Sequence, residues 1–426
     1  MKNLSLLLLG KVLGLLIKLL KMGSGSTWPG HIALSINEKF IEEILYRNRL
    51  KIVVVAGTNG KTTTSTLIKH ILEGAGFKVL HNRSVANFEN GLASTLIGGA
   101  DLRSKINFDY LIFESDESAL PHILDRIEPN YLILLNLFRD QLDRYGELDV
   151  IIKKWAKSIS RLNQNTNLIL NADDPQVSYL SNNTKAKVYY FGLDLAGRKS
   201  LIHGADSIFC PRCNTKLNFE KVYYSHLGIW KCPKCGLKRK KPNILKSEVV
   251  LEGIYNQYNS AAAALFSRLS KIPKITVNNA IKSFSPAFGR QEIVKLENKF
   301  IQIFLSKNPT SFNESLNTIS IHKPKYLLII LNDRIPDGLD ISWIWDAVIE
   351  GNIRSNTKVF ISGDRVWDMN LRLKYAGLKN IFPLENLNKA LKQAISSLND
   401  GDTLYVLPNY SAMLELRNLL LGRKIL

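Results

Sequence analysis

The chain has 426 residues, 45% of them hydrophobic, enough for two or three domains with sizeable cores. Lys and Arg outnumber Asp and Glu by 57 to 37, a formal charge of +20; this suits phosphorylated ligands, an anionic membrane surface or nucleic acid, and does not separate them. The 4 cysteines crowd into one short region, which argues against a disulfide framework and for a reducing, cytoplasmic compartment.

The first predicted element, residues 4–20, is very apolar. Wound as a helix, it puts Gly10, Lys11, Gly14, Lys18 and Lys21 on one narrow face, with leucines, Val12 and Ile17 on the rest. Lys11 interrupts the run, which argues against a signal peptide. For a membrane span the run is short and carries two lysines. A spanning helix, a helix lying on the anionic inner face of a membrane and a helix buried against the protein all stay open. Met22–Gly30 reads as a turn-rich connector, and residues 32–47 as one amphipathic helix.

Next comes an apolar, β-branched run, Ile52–Val55, bounded by Gly57 and expected as a short buried strand. The loop Gly57-Thr58-Asn59-Gly60 leads into Lys61-Thr62-Thr63, and Leu67, Ile68, Ile71 and Leu72 follow at helical spacing. Strand, phosphate loop and helix point to ATP. Backbone N–H groups would hold phosphate oxygens, Lys61 would reach the outer phosphates, and Thr62 would sit on Mg²⁺. The standard first glycine would fall at Val55, and a chance Gly-Lys-Thr loop is the bland alternative.

Lys78–Leu80 is expected as a strand feeding the loop His81–Asn87, at a sheet edge where ligands of open α/β sheets bind. Tyr110–Phe113 ends in Glu114-Ser115-Asp116-Glu117, a carboxylate cluster suited to Mg²⁺ beside phosphates. Tyr131–Leu135 leads into residues 136–147, where Asp140 and Asp143 offer metal or water contacts. Leu168–Leu170 precedes the turn Asn171-Ala172-Asp173-Asp174-Pro175. Alternating strands and helices from 51 to about 295 predict a parallel sheet with helices on both faces.

Cys210-Pro-Arg-Cys213 and Cys232-Pro-Lys-Cys235 each put two thiolates on a tight turn. Together they make a tetrahedral Zn²⁺ shell without an open position, hence structural, in a zinc-ribbon insertion over 206–242. The run Lys238–Lys241 reads as a solvated edge, and no nucleic-acid partner is expected because no RNA-reading aromatic motif accompanies it. From residue 300 the pattern restarts. Ile301–Leu305, Tyr326–Leu331, Lys358–Ile361 and Thr403–Leu407 are expected strands of a smaller, Rossmann-like α/β domain. The expected units are 1–48, 49–297 and 298–426.

AGTNGKTTT resembles the ATP loop of the Mur ligase family, enzymes that activate a carboxylate with ATP and join an amine to it. The resemblance implies ATP binding by Gly57, Thr58, Asn59, Gly60, Lys61, Thr62 and Thr63. The 81–91 loop is similar to the family's muropeptide loop, which implies substrate contacts at Asn82 and Asn87. Glu114-Ser115-Asp116-Glu117-Ser118 resembles E-x-x-E-S, implying Glu114 as a Mg²⁺ ligand with Thr62. Asn171–Pro175 implies Asp173 at the nucleotide's edge, and GIYNQYNSAAAA implies Asn256 and Asn259 on its adenine and phosphate sides. Phe288–Glu292 implies Arg290 on an ATP phosphate, a bidentate contact that stays charged when shielded.

The chain departs from most members in ways that resemble one branch, the MurT-type subunits. Gln141 and Tyr145 stand where most members carry His, and the D-D-Y-A-H-x-P signature is absent. Leu305-Ser306-Lys307-Asn308-Pro309 and the stretch Asp337–Asp346 are similar to that branch, as is the four-cysteine insertion. This implies substrate residues Lys307 and Asn308, and a ligase that amidates the D-Glu α-carboxylate of lipid II or a muropeptide through an acyl phosphate, with Lys61 and Glu114 catalytic. A glutaminase needs a nucleophilic Cys beside a His; all four cysteines are better explained as zinc ligands. The resemblance therefore implies a GatD-type glutaminase partner whose Cys–His pair is completed by Asp340. A ligase joining an amino acid, a folylpolyglutamate synthase and a zinc-ribbon nucleic-acid-binding protein are the alternatives.

Overall fold

A computed structural model describes residues 2–19, 27–82, 86–139, 148–198, 205–244, 251–285 and 290–422. Residues 22–26 of the expected connector, the residues Arg83–Val85 and Gly289, and the candidate metal contacts Asp140 and Asp143 lie outside them, and the connector's last three residues, Trp28–Gly30, are helical.

Six strands form the first sheet: β1 (Lys51–Ala56), β2 (Val79–His81), β3 (Tyr110–Ser115), β4 (Tyr131–Leu134), β5 (Asn167–Asn171) and β6 (Lys187–Phe191). Their order is β2-β3-β1-β4-β5-β6, all parallel. Parallel strands linked by helices are covered on both faces, so β1, β3 and β4 are buried nearly throughout. One face packs Val54, Leu111, Phe113 and Leu132 under helices Phe40–Tyr46, Glu89–Gly99 and Leu148–Ile159, the last contributing Trp155. The other packs Val53, Val55, Ile112 and Ile133 under helices Lys61–Gly74, Ile254–Leu269 and Lys274–Ser283. Alanines 261–263 are fully buried in the second of these, where small side chains let helix and sheet approach closely. Register sets Val55 beside Glu114 and Ile133, so the loops leaving β1, β3 and β4 open at one edge.

Between β6 and helix 254–269 an insertion carries the antiparallel hairpin β7 (Asn218–Tyr224) and β8 (Leu227–Lys231). The four cysteines flank it in a small core with Leu217, Trp230 and Leu237.

The second sheet comprises β9 (Arg290–Leu296), β10 (Lys299–Phe304), β11 (Tyr326–Ile330), β12 (Lys358–Ser362), β13 (Ile381–Pro383) and β14 (Thr403–Pro408), in the order β13-β12-β11-β14-β10-β9. Only the β9–β10 pairing is antiparallel.

Two local expectations change. Residues 32–47 form two helices, Trp28–Ile36 and Phe40–Tyr46, because the Asn37 side chain accepts from the Lys39 N–H at 3.2 Å and turns the chain. β9 pairs with the second sheet, so the break between sheets falls before Arg290, ahead of residue 297. Strong alternation was lacking in Arg290–Leu296, and hairpin pairing with β10 decides its place.

The N-terminal helix Lys2–Leu19 docks on the first domain through Leu6, Leu7 and Gly10, against helix 89–99. Among the described residues no helix is long and apolar enough to cross a membrane.

Candidate active site

The loop after β1 is held from beneath by Asn136. Its backbone O accepts from Thr58 N at 3.0 Å, its Oδ1 accepts from Asn59 N at 2.9 Å, and its Nδ2 donates to Asn59 O at 3.0 Å. Thr58 Oγ1 also accepts from Phe138 N at 2.9 Å. Gly60 has φ +90°, and a Cβ there would lie 2.1 Å from Asn259 Oδ1. Asn259 also accepts from Thr64 Oγ1 at 3.2 Å and donates to Asn256 Oδ1 at 3.2 Å. Of the two asparagines expected on ATP, Asn259 thus ties the helix Ile254–Leu269 to the helix Lys61–Gly74 just behind the loop, and Asn256 braces Asn259. Gly60→Ala should therefore displace the loop and add about 1–3 kcal/mol of backbone strain. The expected outcome is a folded protein with at least about tenfold weaker ATP binding by calorimetry.

Lys61 is buried, with Nζ 2.7 Å from Gly57 O and 3.2 Å from both Asp116 Oδ1 and Glu117 Oε2. Burial works against Glu117, but the charges of Lys61 and Lys307 hold its pKa below the ordinary value. Glu114, also buried, accepts from Thr62 Oγ1 at 2.8 Å and Ser65 Oγ at 2.6 Å. His81 Nε2 lies 3.2 Å from Glu114 Oε1. Burial opposes ionisation of Glu114; the His81 and Ser65 contacts and the charge of Arg290 outweigh it and lower its pKa. An ionised carboxylate and a hydroxyl side by side, next to a phosphate-type loop, fit a Mg²⁺ that shares its shell with phosphate oxygens.

Asn82 anchors Glu114 by accepting from its N–H at 2.8 Å and donating to its carbonyl at 3.2 Å. Asn87 Nδ2 donates to Asp116 Oδ1 at 3.3 Å. The second domain supplies the opposite wall: Arg290 on β9, with Lys307, Ser311, Glu314 and Tyr410. Asn308 caps helix Pro309–Ile321 through a capping box and reaches Asn59 Oδ1 at 3.3 Å, tying the two domains at the loop. The cleft between these walls measures about 560 Å³, within the range of small-ligand sites.

The structure gives Asp173 a different place. It is fully buried away from the cleft lining, with Oδ1 2.6 Å from Arg239 Nε and Oδ2 accepting from Tyr258 OH at 2.8 Å. Burial pushes its carboxyl up to about 6. Asp173 ties the cysteine insertion to β5, and this turns Arg239 inward, out of the basic run 238–241.

Asp340 also lies outside the cleft. It is exposed, its Oδ1 accepting from Ser342 N at 2.8 Å. Exposed Leu339 and Trp345 accompany it; Trp345 meets Tyr375 edge-on at 5.6 Å, with Arg372 over its ring at 5.7 Å. Trp343 instead packs on Phe312 against the domain core.

The four cysteine sulfurs lie within 4.8 Å of one another, with Cys210–Cys235 at 3.6 Å and Cys213–Cys232 at 3.5 Å. A tetrahedral Zn–S₄ shell needs sulfurs about 3.8 Å apart, so the cluster fits one. Its hairpin carries Tyr224, whose OH stands 3.5 Å from Asn59 Nδ2, and so the insertion touches the phosphate loop.

Sequence reasoning assigned no role to Asn136, His81, Tyr224 or Glu314. Glu314 leaves no local signature, since it faces the cleft only once the second domain folds over the loop. Burial pushes its carboxyl up to about 7 against the Asn317 hydrogen bond and the charge of Arg198. A folded carboxyl with a raised pKa contributes stability at low pH that is lost as pH rises from about 4.5 towards 7. Glu314→Gln should flatten that part of a plot of Tm against pH.

Residues 55–267 match the Mur ligase middle domain family and residues 305–413 the MurT ligase C-terminal family. The chain is 31% identical to a lipid II isoglutaminyl synthase (glutamine-hydrolyzing) subunit MurT of Staphylococcus aureus (strain COL), over 91% of each chain. It is 31% identical to the protein of that description in Streptococcus pneumoniae (strain ATCC BAA-255 / R6), over 95% of this chain and 94% of the other. In fold it is similar to a pseudomurein peptide ligase type C from Methanothermus fervidus, with TM-score 0.67 and 21% identity, over 88% of this chain and 79% of that one.

Proposed function

The chain belongs to the MurT family of Mur ligases, and on that premise we propose that it amidates the D-Glu α-carboxylate of a peptidoglycan stem peptide, with ATP as activator and ammonia as nucleophile. One observation carries this reading. The Lys61 loop and Glu114 on one wall face Arg290 and Lys307 on the other, inside one cleft, while the exposed Asp340 lies outside it.

Residues of the loop would hold the triphosphate, with Thr62 and Glu114 holding Mg²⁺, which supplies neutralising charge to the phosphate oxygens. Lys61 and Arg290 stabilise charge on the transferring phosphoryl group. A carboxylate oxygen of the substrate bonds to the γ-phosphorus as the bond to ADP breaks, giving an acyl phosphate. Ammonia nitrogen then bonds to the carbonyl carbon; phosphate leaves with one former carboxylate oxygen, and the surplus proton goes to solvent. Lys307 is suited to hold the substrate's negative charge during the first step.

All four cysteines are accounted for by the metal-type cluster, so ammonia would come from a GatD-type glutaminase docked on the Asp340 face, with Asp340 orienting the partner's catalytic His. The fourfold thiolate cluster would hold structural zinc. One zinc per chain by elemental analysis is the expected result. Cys213→Ser should lower Tm by about 10 °C and, through Tyr224 and Asn59, weaken ATP binding as well.

The test offers purified chain lipid II, ATP and Mg²⁺ with either ammonium or amino acids. Amide formation with ammonium alone is expected. Addition of an amino acid would instead make it a peptide-forming ligase.

A further inference from the structure

The N-terminal helix has two different faces. Gly10 sits against Ile97, where an added Cβ would stand 3.0 Å from its side chain, and Gly14 approaches Pro29. Asn3 staples this face down, donating to Glu43 Oε2 at 2.7 Å and accepting from Asn37 Nδ2 at 2.9 Å. The small-residue face is thus the docking face, and the opposite one is held outward. On it Leu4, Leu8, Val12, Leu15, Leu16 and Leu19 cover an arc of about 120° at 3.6 residues per turn, and all six are exposed, Leu19 by 76%.

A strip of five leucines and a valine between Leu4 and Leu19 has no reason to face water. The helix sequence adds 3 lysines and no Asp or Glu, on a chain of net charge +20. An apolar strip on a helix whose charged residues are all lysines is complementary to acyl chains beneath anionic headgroups. No described helix is long and apolar enough to cross a membrane, so lying along the surface is the way this strip would meet lipid. The helix rests on Trp28–Ile36 and on Glu89–Gly99, and the latter follows closely on the cleft residue Asn87.

We propose that this face seats the protein on an anionic bilayer and turns the side of the cleft that carries Asn82 and Asn87 toward it. The lipid surface is inferred from the helix itself; its use in presenting a lipid-carried carboxylate rests on the proposed amidation.

Vesicles of phosphatidylglycerol with phosphatidylcholine, or of phosphatidylcholine alone, free of any substrate, separate the two ideas. The full chain should sediment with the anionic vesicles, and Leu8→Glu with Leu15→Glu should lower that partition at least about tenfold. The milder pair Leu15→Ser with Leu19→Ser should give an intermediate loss. Both variants should keep ammonia-driven turnover on a soluble muropeptide, which shows that they fold. Failure of the unaltered chain to sediment, or equal sedimentation of folded variants, would overturn the proposal. So would a dimer in vesicle-free solution that the same substitutions dissociate, because a second copy would then cover the strip.

Discussion

Lys61→Met is expected to lower ATP-dependent amidation by about 10³-fold or more with either nitrogen source. Lys61 is the buried cation nearest the loop, and Gly57 O, Asp116 and Glu117 hold its ammonium in place. Removing it deletes charge at the transferring phosphoryl group. It also leaves two carboxylates short of their counter-ion, one of them wholly buried. A buried charge stripped of its partner costs several kcal/mol, so a fall in Tm should accompany the kinetic loss. Lys61→Met combined with Glu117→Gln separates the two effects. The double variant should regain stability but not turnover. Recovery of turnover would mean that Lys61 serves only to neutralise Glu117.

Asp340→Asn should act on one nitrogen source alone. Its carboxylate lies on the surface, accepting the Ser342 N–H, and Asp340 is not among the residues that line the cleft. An asparagine keeps that acceptor and loses the charge. Where a carboxylate orients a catalytic imidazole, the same exchange lowers kcat by about 10⁴-fold. With the partner bound, glutamine-driven turnover should therefore collapse by about 10³- to 10⁴-fold while ammonium-driven turnover stays within about twofold. Equal loss with both donors would place Asp340 in the ligase chemistry and remove it from the glutaminase. Trp345→Ala should weaken partner binding without touching ammonium-driven turnover, because Trp345 is exposed beside Asp340 whereas Trp343 is packed inward.

What the sequence made legible was local. A β-branched run, a glycine turn and a helical period specify strand, loop and helix over Lys51–Gly74, and the structure forms them. Paired C-x-x-C knuckles declare their own contact, and the four sulfurs meet. Long-range partners were not legible. Asp173 and Arg239 are 66 positions apart, and neither carries a sign that one neutralises the other. The periodicity of residues 4–20 showed an amphipathic helix but not which face docks. Leucines suggest burial, yet Gly10 is buried against Ile97 and Gly14 turns toward Pro29, because small residues allow a close backbone approach. Asn136 acts through the pairing of β4 with β1, and Glu314 faces the cleft only when the second domain folds over the loop.

The claim on which everything else depends is that ATP activates the substrate's own carboxylate in this cleft. Stem peptide labelled with ¹⁸O in the D-Glu α-carboxylate, given ATP, Mg²⁺ and ammonium, tests it in one reaction. One labelled oxygen should appear in inorganic phosphate for each amide formed, and Lys61→Met should abolish both together. Amide formed with unlabelled phosphate, or phosphate released with no amide, would contradict the account.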